Sequence, residues 1–173
     1  PPDIATQDQL NQAEQNNILQ AELWLLSRKR EILLESLLRK VHQKMFELVW
    51  RWAGKYRKSE KNIGVPPYAI PEEINKLLAD TRYWIENNIY SWTELGARFH
   101  HRLVAIHPFP NGNGRHSRLL TDALLLQHGQ KRFTWGENLK GDLSHTSTMR
   151  QRYIQALQAA NNRDFEKLIL FVK

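Results

Sequence analysis

The sequence predicts an all-helical domain with one short β element at most, and three observations carry that prediction. Apolar residues recur at three- and four-residue intervals along most of the chain, the period of an amphipathic helix. Two of these stretches open with a capping box, Thr6-Gln7-Asp8-Gln9 and Ser91-Trp92-Thr93-Glu94, in which residues three apart satisfy each other's orphan N–H groups. Only between Ala53-Gly54 and Pro71 does the helical period vanish, where Gly54, Gly64 and Pro66-Pro67 punctuate an irregular loop or a short hairpin. At 173 residues the chain reads as one domain, 1–173, long enough to bury a core.

The first helix is expected over 6–26, with Leu10, Glu14, Ile18 and Ala21 on a stripe narrowed by Gln and Asn. A second begins at about Arg30 and turns Leu33, Leu37, Val41, Met45 and Val49 to the core. His42, among them, reads as a satisfied core histidine or a surface ring rather than a ligand. Pro71-Glu72-Glu73 starts a third helix, with proline in the first turn and acids at the positive end of the dipole. Its buried face is Ile74, Leu77, Leu78, Thr81, Trp84 and Ile85. From Ser91 a fourth helix carries Leu95, Phe99, Leu103 and Ile106, and Pro108 ends it by pushing the residue before it out of the α region. A fifth continues through Leu119, Leu120, Ala123, Leu124 and Leu126 to a closing Gly129. Residues 131–142 read as irregular. A helix through Met149, Tyr153, Leu157 and Ala160 follows, and Asp164 caps a last one bearing Phe165, Leu168, Ile169 and Val172.

The functional signal lies between the fourth and fifth helices, in His107-Pro108-Phe109-Pro110-Asn111-Gly112-Asn113-Gly114-Arg115-His116-Ser117-Arg118. Gly112 and Gly114 permit backbone conformations that turn successive N–H groups inward as an anion nest. The nest falls at a helix N-terminus, which favours phosphate. Arg115 and Arg118, three apart on one helix face, add guanidinium groups suited to phosphate oxygens. His107, at the mouth of the loop, titrates near neutrality as a general base should. Together these residues describe a site that holds a polyphosphate and removes a proton beside it.

Other chemistries fit less well. The chain has no cysteine, which excludes disulfides and thiolate metal sites. His100 and His101 are adjacent on a helix and point about 100° apart, and no His-Glu-x-x-His pattern accompanies them. The loop lacks the Lys-Ser/Thr end of a Walker P-loop, and Ser117 and Thr121 lie inside a helix. Net charge is +7, with basic clusters at Arg28-Lys29-Arg30, Arg39-Lys40 and 55–61. A solvated basic surface accounts for these more simply than nucleic acid does. No apolar run approaches the roughly 20 residues of a membrane span and no signal peptide is visible, so a cytoplasmic bacterial protein is expected.

The loop resembles the signature of the Fic (Fido) family, His-x-Phe-x-(Asp/Glu)-Gly-Asn-Gly-Arg-x-x-Arg, at His107, Phe109, Gly112, Asn113, Gly114, Arg115 and Arg118. It departs at Asn111. Met45-Phe46, Trp50-Arg51-Trp52-Ala53-Gly54 and Arg57 are similar to the family's upstream segment, and 152–157 to its closing helix. The Asn-Gly-Asn-Gly variant and Asn62-Ile63-Gly64-Val65 are most similar to the subgroup called mobile mystery protein B.

The resemblance implies a Fic/Fido helical bundle with a β-hairpin flap beside the loop, where Ile63, Gly64 and Val65 hold a target segment by strand addition. It implies an adenylyltransferase that moves AMP from ATP to a Ser, Thr or Tyr hydroxyl of a target protein. His107 is then the base. Gly112, Asn113 and Gly114 cradle the α- and β-phosphates, with Arg115 on the β- and Arg118 on the γ-phosphate. Kinase-type and phosphocholine-type subfamilies carry alanine where this chain has Gly112. Asn111 replaces the acid that holds Mg²⁺ (or Mn²⁺), and a neutral carboxamide is a weaker ligand. The alternative is therefore a nucleotide-binding, catalytically weak module of a mobile-element or toxin–antitoxin-like pair, with an antitoxin-like partner; a homo-oligomer is compatible with both readings. Helix 6–26 resembles in part an inhibitory helix whose Glu14 pairs with Arg118. A solvated Glu14 is the other reading.

Overall fold

The computed structural model describes residues 6–137 and 146–173, and its first element begins with the expected capping box. Thr6 Oγ1 accepts from the Gln9 N–H at 3.2 Å, and Gln9 Oε1 accepts from the Thr6 N–H at 3.1 Å. The helix so started, α1 (Gln7–Leu26), buries Glu14, Asn17, Ala21 and Leu25.

The second helix is shorter than its apolar pattern predicts. α2 runs Glu35–Phe46 rather than from Arg30 to Val49. Arg30 is used elsewhere: its guanidinium stacks on Trp24 at 4.0 Å and donates to the Trp24 carbonyl at 2.8 Å, satisfying an orphan acceptor at the end of α1. Ile32 and Leu33 are then both buried in a turn that precedes α2.

The segment 55–66 is irregular, and the expected β-hairpin does not form; no strand occurs among the described residues. Its carbonyls are engaged by one buried side chain instead of a ladder. Arg57 donates to Ser59 O at 3.0 Å, to Val65 O, and across to His107 O at 2.7 Å. Pro66 and Pro67 supply no N–H to extend pairing, and a 3₁₀ turn follows at Pro67–Ala69.

α3 (Ile70–Glu86) carries Pro71 in its first turn and buries Ile70, Ile74, Leu77, Leu78 and Thr81. α4 (Trp92–Ile106) is capped by Ser91, whose hydroxyl accepts the Glu94 N–H at 3.3 Å. The reciprocal half of that capping box is absent, because Glu94 turns to Arg98 at 2.7 Å. α5 (Asn113–Gln127) ends in a Schellman arrangement at the left-handed Gly129, with Gln130 N–H on Leu125 O and Gly129 N–H on Leu126 O. Leu125, not Leu126, faces the core. α6 (Thr146–Asn161) and α7 (Glu166–Val172) follow, and Asp164 accepts the Glu166 N–H at 3.1 Å as expected. The expected irregular stretch 131–142 lies outside the described residues beyond 137.

α1 packs on α2, α4 lies between α3 and α5, and α6 pairs with α7, which rests on α4. The main core gathers Leu38, Phe46, Phe99, Leu103, Phe109 and Leu120, all fully buried. A smaller cluster joins Ala97 of α4 to Ala156, Ala160, Leu168 and Val172. The α4–α5 connection is thereby walled by both clusters. No helix among the described residues is long and apolar enough to cross a membrane.

Candidate active site

His107 follows the last residue of α4 with φ 54°, ψ 58°, a left-handed conformation that non-glycine residues adopt at a cost. Its surroundings hold it there. Arg57 Nε grips its carbonyl, and the Arg57 N–H donates to Pro108 O at 2.9 Å. Gly64 closes over it: a Cβ at Gly64 would lie 2.8 Å from His107 Cβ and 2.6 Å from Arg57 Nη2. The His107 ring is half-buried, and its Nδ1 is enclosed without a partner among the described residues, which leaves Nε2 as the nitrogen open to solvent. Burial, with the charges of Arg57 and Lys61, lowers its pKa below the ordinary 6.5. At neutral pH the ring is therefore a free base.

The loop after it is fastened from both sides. Asn113 takes the Phe109 N–H on Oδ1 and donates Nδ2 to Phe109 O, both at 2.9 Å. Phe109, fully buried, stacks on His42 with ring centres 3.6 Å apart. His42 Nδ1 accepts the Gly54 N–H at 2.9 Å, so Nε2 carries the proton and donates to Asn111 O at 3.1 Å. Of the two readings of His42, core histidine and surface ring, the first holds, and His42 also clamps the loop. Gly112 has φ 77° and no room for a side chain, since a Cβ would meet the Phe46 ring at 2.5 Å. Gly114 differs: it lies in the helix, and only Tyr153 Oη, at 3.9 Å, approaches its missing Cβ. Its value is open space over the backbone rather than an unusual φ. The first bond of α5 is His116 N–H to Gly112 O, so the N–H groups of Asn113, Gly114 and Arg115 have no partner within the helix.

The two arginines differ in occupancy. Arg115 Nη1 pairs with Glu14 Oε2 at 2.6 Å, and Trp50 Nε1 donates to Glu14 Oε1 at 2.6 Å. Glu14 is 9% exposed, so it is not a solvated glutamate. Its partner is the first motif arginine rather than Arg118. Burial pushes the Glu14 carboxyl up, but the hydrogen bonds from Arg115 and Trp50 and the Arg115 charge outweigh it and hold the pKa below 4.5. Arg118 has no acidic partner among the described residues.

These groups line one cleft of about 680 Å³, with His107, Asn111–Arg115 and Arg118 on one side and Ile63, Trp135, Tyr153 and Phe171 among the rest. Of the flap residues expected at the site, Ile63 reaches this cleft, Gly64 backs His107, and Val65 N–H bonds Ile106 O at 3.3 Å. No carboxylate lines the cleft among the described residues. Asn111 Oδ1, where the metal was expected, accepts the Gly112 N–H at 2.7 Å. One neutral oxygen already in use does not make a resident Mg²⁺ site. The other histidines weighed as metal ligands diverge: His100 meets Tyr153 Oη, His101 meets Asn161, and His116 meets Leu38 O.

Sequence reasoning placed Arg57 and Trp50 only in a similar segment and gave neither a role. Arg57 has the single cue of a charged residue amid irregular chain. Trp135 carried no cue at all.

The Fic/DOC family model matches residues 32–125, more than half of the chain. A protein adenylyltransferase Fic of Aedes aegypti is 30% identical over 124 residues, 69% of this chain and 22% of that protein. A probable protein adenylyltransferase of Aquifex aeolicus is 29% identical over 156 residues, 80% of this chain and 42% of that protein. The chain thus spans less than half the length of these curated relatives. Among solved structures, BepC of Bartonella tribocorum with bound AMPPNP superposes with a TM-score of 0.72 at 18% identity, covering 98% of this chain and 87% of that one. The N-terminal Fic domain of Bep8 from Bartonella sp. 1-1C gives 0.73, also at 18%, covering 98% and 86%. At that identity the likeness is one of fold.

Proposed function

This chain belongs to the Fic/DOC family, and from that premise we propose that it is a protein adenylyltransferase acting with ATP on a Ser, Thr or Tyr hydroxyl of another protein. The observation that carries the reading is the sharing of one cleft by a neutral histidine, the free N–H groups at the start of α5, and an arginine without an acid. Curated relatives named as adenylyltransferases and a neighbour holding AMPPNP support it.

His107 Nε2 takes the proton of the target hydroxyl as its oxygen forms a bond to the α-phosphorus. The bond from that phosphorus to the bridging oxygen breaks, and pyrophosphate leaves. The N–H groups of Asn113, Gly114 and Arg115 stabilise charge on the phosphate oxygens. Arg118 holds the γ-phosphate, and Arg115 the β-phosphate once Glu14 releases it. Glu14, on α1, is thereby inhibitory, and it acts on Arg115 rather than Arg118. The fit of a resident metal is poor, so any Mg²⁺ arrives with the nucleotide as part of the substrate. Ile63, exposed there, and Gly64 hold the target segment beside His107, and Val65 fastens them through its bonds to Ile106 and Arg57.

The Asn-Gly-Asn-Gly loop and Asn62-Ile63-Gly64-Val65 support a reading of the chain as a member of the mobile mystery protein B subgroup, and a cytoplasmic bacterial protein is part of that reading. The second reading is favoured by Asn111: a nucleotide-binding, catalytically weak module paired with an antitoxin-like protein. Incubation with α-labelled ATP, Mg²⁺ or Mn²⁺ and cell lysate separates the two. Label on protein hydroxyls, absent with His107→Ala, supports transfer. ATP binding without label sinks transferase activity and leaves the second reading.

A further inference from the structure

Arg118 faces two aromatic rings. Its guanidinium carbon lies 4.5 Å from the Tyr153 ring centre and 5.4 Å from that of Trp135. Its Nε is buried and has no hydrogen-bond partner among the described residues.

Each ring is held from behind. Trp135 Nε1 donates to both carboxylate oxygens of Asp122 at 3.1 Å, and the same buried carboxylate accepts the Phe133 N–H at 3.2 Å and Arg132 Nη2 at 3.1 Å. Tyr153 Oη lies 2.8 Å from Nε2 of the fully buried His100, whose ring sits 4.6 Å from Trp135. Trp135 itself has φ 51°, a left-handed conformation that a bulky residue keeps only where its surroundings enforce it. The next residue, Gly136, is also left-handed, and a Cβ there would collide with Met149 and Phe171. The backbone is thus strained at the position that brings the indole over Arg118.

We propose that Trp135 and Tyr153 are positioning residues that aim the Arg118 guanidinium at the terminal phosphate, with Asp122 and His100 bracing the two rings. An arginine is commonly oriented by a carboxylate, but an acid here would repel the phosphate and compete for the same donors. Aromatic faces attract the cation and bring no formal negative charge. The proposal rests on the reading of Arg118 as a phosphate-binding arginine, and it assigns a role to residues outside the loop.

Calorimetry of the whole chain with ATP and with AMP tests it. Tyr153→Leu and Trp135→Leu are expected to weaken ATP about tenfold while leaving AMP within about twofold, because only ATP reaches Arg118. Tyr153→Phe keeps the ring face and loses only the hydroxyl held by His100, so it is expected to weaken ATP less than Tyr153→Leu does. Equal loss of both nucleotides in the leucine variants, against a wild type that prefers ATP, overturns the aromatic cage and leaves the functional reading standing. A wild type that binds neither nucleotide removes the functional reading instead. The cage is then decided without nucleotide by nitrogen–proton NMR of the Arg118 Nε–H, assigned by its loss in Arg118→Lys. Ring currents shift that signal upfield in wild type and Tyr153→Phe, and Tyr153→Leu releases it. An unshifted signal in wild type overturns the proposal.

Discussion

Glu14 Oε2 sits 2.6 Å from Arg115 Nη1 while its other oxygen accepts the Trp50 indole N–H, so α1 closes directly on the phosphate loop. Charge-assisted hydrogen bonds contribute ~1.5–3 kcal/mol, and Arg115, part-exposed, places this one at the lower end. A phosphate that takes Arg115 must displace that carboxylate. Glu14→Gly is expected to raise both ATP affinity and self-labelling about tenfold, read by calorimetry and α-label transfer. Trp50→Phe, which removes one brace of Glu14 and leaves the ion pair, should raise them less. Unchanged labelling in a folded Glu14→Gly protein would mean that the contact only staples α1 down.

The second prediction concerns the acid limb of the reaction. His107 is held below its ordinary pKa first by burial and then by Arg57 and Lys61. A base must be unprotonated, so the rate should rise with pH through a midpoint below 6.5 and be flat at neutrality. Lys61 is exposed and acts on His107 through its charge, which makes it the clean probe. Lys61→Gln removes one repelling cation and should move the midpoint upward by a few tenths of a unit. A downward movement, or a midpoint above 6.5 in wild type, contradicts the assignment of His107 as the free base. His107→Ala should abolish transfer and spare ATP binding.

Legibility in the sequence followed the range of the interaction. The Thr6 cap, the Pro71 start, the Gly129 stop and the Asp164 cap each depend on residues within a few positions, and each was readable. The His107–Arg118 loop was readable because nearly all its parts are contiguous. Arg57 was not, because its partners Val65 and His107 are set by the tertiary path of the chain. The start of α2 was misplaced for a similar reason: Arg30 suits a helix by propensity, yet its cation is drawn to Trp24. Glu14 was recognised, but spacing within α1 cannot say which of two arginines on another helix it meets. Trp135 depends on Asp122, a buried acid whose partner no periodic pattern announces.

Asn111 yields a prediction about metal. Its Oδ1 is spent on the Gly112 N–H and the cleft offers no carboxylate among the described residues. Asn111→Asp keeps the acceptor for that N–H and adds a second, charged oxygen, so the loop should fold unchanged. The Mg²⁺ concentration for half-maximal self-labelling is expected to fall about tenfold, since Mg²⁺ prefers carboxylate to carboxamide. A requirement that stays the same would show that residue 111 does not face the ion when nucleotide is bound.

The last prediction is about stability in mild acid. Burial pushes His42 down to about 4, and His100 and His116 to about 3, while in the unfolded chain each titrates near 6.5. Each folded pKa is depressed, so the unfolded state binds protons first as pH falls. The stability that these neutral rings contribute is complete above 6.5 and is lost progressively below it, down to the folded values. Ordinary carboxylates do not titrate until about pH 4, so between 6.5 and 5 the histidines dominate the slope. Each contributes up to about 1.4 kcal/mol per pH unit there. The thermal midpoint should therefore be flat from pH 8 to 7 and fall steeply from 6.5 to 5. His116, whose ring bonds only the Leu38 carbonyl and does not touch Tyr153 or the loop carbonyls, is the one of the three to replace. His116→Gln, with an amide able to reach the Leu38 carbonyl, should lower the midpoint at pH 7.5 but make its acid slope shallower. A midpoint that does not move between pH 7 and 5 would show that these rings are not buried and neutral in the folded protein.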